Sequence, residues 1–80
     1  SKQDPADFLD QQETNKKIMQ AIDSLPKQFK KVIILFYMEN IRVTEISESL
    51  NISRENVKIQ LYRARNLLKE SLKEHYTVNP

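Results

Sequence analysis

The 80-residue chain contains no cysteine, no glycine and no tryptophan, and only three prolines. Without cysteine it has neither disulfide staples nor thiolate metal sites. Glycine and proline are the residues that helix interiors tolerate least, so their scarcity points to helix throughout. No apolar run approaches the ~20 residues that span a bilayer. The opening SKQDPADFLDQQ is polar and acidic, unlike a secretory signal. No membrane association is expected, and a cytoplasmic protein is. Chemistry-bearing constellations are missing as well. His75 is the only histidine, with no second ligand for a metal and no nucleophile at a meaningful spacing, and it reads as a frayed helix end. Glu45 and Glu48 share one short helix pattern without a pocket between them, and a glycine-free chain cannot build a phosphate-cradling loop. No enzyme activity, cofactor, metal or small-molecule substrate is expected.

Eighty residues make one domain that buries roughly 60–65% of its unfolded surface, too little for a metabolite pocket in addition to a core. Charged residues at 30% and hydrophobic ones at 39% suit a soluble all-helical domain. The net charge of +2 is small, but it is unevenly spread. Over 1–25, Asp4, Asp7, Asp10, Glu13 and Asp23 outnumber Lys2, Lys16 and Lys17. Over 51–80, Arg54, Lys58, Arg63, Arg65, Lys69 and Lys73 outnumber Glu55, Glu70 and Glu74. A basic half beside an acidic half suggests one surface turned to DNA, the plainer alternative being a solvated helix face.

Four helices are expected from the spacing of apolar residues. Residues 1–13 lack a period, and Asp4-Pro5 reads as a breaker, so they are expected to form a linker or tail, with Phe8 and Leu9 able to dock on the body. Thr14-Asn15 offers a cap for a first helix, whose face is Ile18, Ala21, Ile22 and Leu25. Ser24-Leu25-Pro26 ends it, because the residue before proline is pushed out of the α region. Pro26 also suits the first position of a second helix over 26–38. Phe29, Val32, Ile33, Phe36 and Tyr37 form the stripe of that helix, widened by Ile34, Leu35 and Met38. A turn at 39–42 leads to a short third helix over 43–50 with Val43, Ile46 and Leu50 inward. Asn51 turns the chain sharply, Ile52 plugs the core and Ser53 caps a fourth helix over about 54–75. Val57, Leu61, Ala64, Leu68 and Leu72 are its buried stripe. Lys58, Ile59, Tyr62, Arg63, Arg65 and Asn66 fall on the opposite arc. A short helix, a tight turn and a longer basic helix are the layout of a helix-turn-helix, in which the second helix enters the major groove. The fold expected is all-α, with four helices and a helix-turn-helix domain over 14–76, then a tail at 77–80.

Leu25-Pro26, Glu45-Ile46, Leu50-Asn51-Ile52-Ser53, Val57-Lys58 and Arg63-Ala64-Arg65 with Leu68 stand in an order and spacing that resembles region four of bacterial sigma factors, most closely the extracytoplasmic-function group. The resemblance covers about 16–72. It implies a domain that reads the −35 promoter element of double-stranded DNA and docks on the flap of core RNA polymerase, with anti-sigma proteins covering the same surfaces. The family's region two is not in the chain, so the resemblance implies one domain of a larger sigma factor. Departures from the family pattern include Asn40 and Asn51 where glycine is usual, Ser47 for alanine, Lys30 for arginine, Glu55-Asn56 for Gly-Thr, and Ile59-Gln60 for a small polar residue and a basic one. Both asparagines can still adopt positive φ.

The resemblance carries base reading to Lys58 and Arg63. An arginine pairs bidentately with guanine O6 and N7, worth ~1–3 kcal/mol of discrimination. Tyr62 and Ile59, apolar on the wet arc, suit thymine methyl groups or an anti-sigma helix. Arg54 and Asn56 open the fourth helix, whose amides and dipole attract phosphate. Arg42 and Thr44 suit phosphate contacts from the start of the third helix, and Arg65 and Lys69 from the flank of the fourth. Such contacts set register rather than sequence. Glu55 would repel phosphate unless it accepts from a cytosine or pairs with Lys58. Two alternatives stand beside this reading. One is the output domain of another transcription regulator. The other is a protein-interaction module, binding RNA polymerase or an anti-sigma factor, whose basic face Glu55, Ile59 and Gln60 have thinned.

Overall fold

A computed structural model describes the backbone of residues 5–76 and the side chains of residues 12–73. Among the described residues the fold has four α-helices: α1 Pro5–Asp23, α2 Lys27–Ile33, α3 Val43–Leu50 and α4 Arg54–Tyr76, with a π-helical turn Ile34–Met38 continuing α2. No strand occurs among the described residues, nor a helix long and apolar enough to cross a membrane. Residues 1–4 of the tail expected over 1–13, and the tail expected at 77–80, lie outside the described residues, as do the side chains of Phe8, Leu9 and His75.

The core is a seam along α4. Val57, Leu61 and Ala64 meet Ile46 of α3, Val32 and Ile33 of α2, and Ile22 of α1, with Leu25 beyond its end; all are buried. Ile18, Phe29, Val43, Leu50, Ile52 and Leu68 pack partly buried around them. The helical spacing in the sequence therefore selected the correct faces of α1, α3 and α4. α1 stops at Asp23, ahead of Leu25-Pro26, where Ser24 Oγ donates to the Gln20 carbonyl at 3.0 Å.

Three expectations are corrected. First, α1 begins at Pro5 rather than at Thr14, so the stretch read as a tail is helical from Pro5 onward. A proline has no amide hydrogen to lose at a helix start, and it opens this helix instead of breaking it. Thr14 and Asn15 lie inside the helix and are not caps. Second, Pro26 stands before α2 with extended ψ (146°) rather than as its first residue, and its carbonyl accepts from Lys30 N–H at 2.9 Å. Third, the helix expected over 26–38 changes winding at Ile34. Glu39 N–H reaches five residues back to the Ile34 carbonyl at 3.0 Å, the bond that defines a π turn. The last residues of this turn stand open: Tyr37 is 50% exposed and Met38 is 47% exposed, in place of the buried stripe expected for both.

Candidate nucleic-acid interface

The helix-turn-helix is held by local bonds that begin with backbone conformation. Asn51 takes the left-handed conformation (φ 60°, ψ 45°) that closes α3, one open to asparagine where most residues are excluded. Ile52 N–H then reaches back to the Ser47 carbonyl at 3.1 Å. In return the Ser47 hydroxyl donates to the Ile52 carbonyl. Ser47 thus fastens the turn from both sides, something an alanine there could not do. One residue later Ser53 Oγ accepts from Asn56 N–H at 3.0 Å, and the Ser53 carbonyl accepts from Val57 N–H at 3.0 Å, which starts α4. Asn40 ends the π turn with φ 56°. Ile41 N–H returns to the Leu35 carbonyl at 2.9 Å, six residues back. An ordinary left-handed helix ending spans five, and the π turn supplies the extra residue.

With Val57, Leu61 and Ala64 facing the core, the opposite arc of α4 is open. Arg54, Glu55, Asn56, Lys58, Ile59, Tyr62, Arg63 and Arg65 are all exposed, Tyr62 at 64% and Ile59 at 47%. Arg42 and Thr44 are exposed at the start of α3, where Arg42 is the extended residue before the helix. Every residue assigned to an interface from sequence therefore has access to solvent. The side chains of Arg54, Glu55, Lys58 and Arg63 have no hydrogen-bond or ion-pair partner among the described residues, so Glu55 does not neutralise Lys58. Lys30, by contrast, pairs with Asp23 at 3.0 Å at the α1–α2 junction.

Two of the assigned residues have partners within the chain. The Asn56 carboxamide oxygen accepts from Gln60 Nε2 at 3.4 Å. Arg65 Nε donates to Tyr37 Oη, and the Arg65 guanidinium lies 5.5 Å from the centroid of the Tyr37 ring. Two features are not foreseen in the sequence. Gln60 is 7% exposed, inside the core seam, and its Oε1 has no hydrogen-bond partner. Tyr37 stands edge-on to Phe36, 4.9 Å between ring centroids, with half of its surface exposed. The only signal for either is the apolar residues around them, which suit a buried tyrosine and say nothing about glutamine.

On the other flank an apolar groove of about 400 Å3 runs between α1 and α4, lined by Ile18, Ile22, Ile33, Leu68 and Leu72 and bordered by Tyr37, Arg65 and Lys69. No group of three or more histidine, cysteine or acidic residues that could hold a metal occurs among the described residues.

Comparison with known proteins converges on one family. Residues 15–68 match the family described as Sigma-70, region 4. The chain is 34% identical over 70 residues to the ECF RNA polymerase sigma factor SigW of Bacillus subtilis (strain 168), covering 88% of this chain and 37% of that protein. It is 38% identical over 53 residues to the RNA polymerase sigma factor SigV of the same organism, covering 66% of this chain and 32% of that protein. The chain thus spans about a third of the length of these relatives. No solved structure matches it.

Proposed function

The chain belongs to the sigma-70 region 4 family, and from that premise we propose that it is the promoter-reading domain of an extracytoplasmic-function sigma factor, a non-enzymatic module that directs RNA polymerase to the −35 element. The observation that carries this reading is the open arc of α4, where Lys58, Ile59, Tyr62 and Arg63 stand exposed just beyond a helix start fixed by Ser53. In a helix-turn-helix that part of the second helix is the part that reaches base edges. Arg63 and Lys58 read guanine, and Tyr62 and Ile59 lie against thymine methyl groups. Arg54 and Asn56 hold phosphate at the start of α4, Arg42 and Thr44 hold it from α3, and Arg65 holds it from the flank. The apolar groove between α1 and α4 is the face for the flap of core RNA polymerase or for an anti-sigma factor.

The test is selection of double-stranded DNA from a random pool at low salt, using this chain tethered to the flap segment of RNA polymerase. Enrichment of one short motif, lost in Arg63→Ala and Lys58→Ala, is the expected outcome. Loss of either contact should cost ~1–3 kcal/mol of discrimination. If four to six phosphates are held, log K should fall with log salt at a slope of roughly −4 to −5. No enrichment while the flap segment remains bound would refute promoter reading and leave a protein-interaction module.

A further inference from the structure

Tyr37 lies outside the helix-turn-helix, yet it is bonded to a residue of the reading helix. Arg65 Nε donates to the Tyr37 hydroxyl oxygen. A guanidinium carries five N–H donors, so this bond leaves four free on the two terminal nitrogens. The hydroxyl accepts in that bond, so its own hydrogen is free to donate. The guanidinium also lies 5.5 Å from the ring centroid, within the range of cation–π attraction, so Arg65 is held by the same residue in two ways. Both side chains are exposed, Tyr37 by half.

Arg65 shares its side of α4 with one of the assigned phosphate contacts. At 100° per residue along α4, Arg65 is about 20° from Arg54 and about 16 Å further along the axis. Tyr37 also lines a second hollow with Phe36, Asn40, Ile41 and Arg42, so a second exposed cation borders it.

We infer that Tyr37 and Arg65 together form a seat for a phosphodiester oxygen of DNA, with the tyrosine hydroxyl and the terminal guanidinium nitrogens donating to it and the ring fixing the arginine. This rests on the proposed DNA binding and adds to it a residue from outside the helix-turn-helix. A flexible arginine loses rotamer freedom when it binds. One already tethered by Nε and by the ring loses less, so Tyr37 acts both as a contact and as a positioning residue.

The test uses the whole chain and a labelled duplex of random sequence, because a phosphate seat is indifferent to bases. Affinity is measured by anisotropy over a range of salt for wild type, Tyr37→Phe, Arg65→Ala and the double variant. Tyr37→Phe keeps the ring and removes only the hydroxyl. It should weaken binding about fivefold, the equivalent of one hydrogen bond, with thermal stability unchanged. Arg65→Ala should weaken it further and make the salt slope shallower by about one. Adding Tyr37→Phe to Arg65→Ala should cost much less than Tyr37→Phe alone. Full additivity, or no effect of Tyr37→Phe while Lys58→Ala still weakens binding, would overturn the seat and leave DNA binding standing. Loss of flap-segment binding in Tyr37→Phe with duplex binding intact would also overturn it, in favour of a protein partner in the adjoining groove. A wild-type chain with no salt-dependent duplex binding would overturn the seat and DNA binding together.

Discussion

Replacing Gln60 with methionine should make this protein more stable. Gln60 lies in the core seam at 7% exposure, and its Oε1 is buried without a hydrogen-bond partner. A buried acceptor left unpaired costs about 1–3 kcal/mol. The amide nitrogen offers little in return, since its bond to Asn56 Oδ1 is 3.4 Å long, beyond the usual 2.7–3.2 Å, and is worth less than ~1 kcal/mol. Methionine has nearly the same length and shape and adds apolar surface to the seam. The balance is a gain of about 1–2 kcal/mol. In a domain of this size each kcal/mol moves Tm by roughly 4–8 °C, so a rise of about 5–15 °C is expected. Thermal unfolding gives Tm, and urea unfolding should show a higher midpoint with an unchanged m value. Gln60→Glu should move stability the other way, because an ionised carboxylate at the same dry site has no partner. A Gln60→Met chain as stable as wild type, or less stable, would refute the reasoning, because it would mean that the carboxamide is satisfied in the folded protein.

Three further variants, at two positions, probe the frame around the reading helix. Ile46 is fully buried where α3 meets α4; Ile46→Ala should cost about 2–5 kcal/mol in urea unfolding, a large share of the ~4–12 kcal/mol available to 80 residues. At Asn51, with φ 60°, Asn51→Gly should change stability by less than ~1 kcal/mol, whereas Asn51→Val should destabilise by about 2 kcal/mol, a contrast readable as the difference between their Tm values.

What is legible in the sequence is whatever repeats with the helical period or carries a fixed backbone preference. Val57, Leu61, Ala64 and Leu68 recur at helical spacing and form the seam. Asn51 and Asn40 stand where left-handed turns are needed and adopt them. Ser53 caps the helix it precedes. What escapes is set by competition between bonds rather than by residue type. The run from Ile34 to Met38 is apolar throughout and so suits α and π winding alike, and the hydrogen bond from Glu39 to Ile34 is what separates them. Helical spacing puts Tyr37 in a buried stripe although half of it is exposed, and its bond to Arg65, 28 residues away, has no local trace. Pro5 reads equally as a breaker or as a first helical residue, and the charged stretch after it gives no period to choose between them. Gln60 and Ser47 both depart from the family pattern, but neither burial of the first nor the hydroxyl bond of the second can be read from identity alone.

The two left-handed asparagines also bear on how the protein ages. An asparagine deamidates when the backbone nitrogen of the next residue attacks its side-chain carbonyl and closes a five-membered imide, a reaction that is fastest before glycine. A glycine-free chain avoids that dipeptide altogether. Here each turn asparagine precedes an isoleucine, whose branched side chain crowds the attacking nitrogen. That nitrogen is also occupied: Ile41 N–H is bonded to Leu35 and Ile52 N–H to Ser47. The bonds that shape the turns thus hold back the nucleophile of the reaction that would undo them, and chemical decay at both corners must wait for local unfolding.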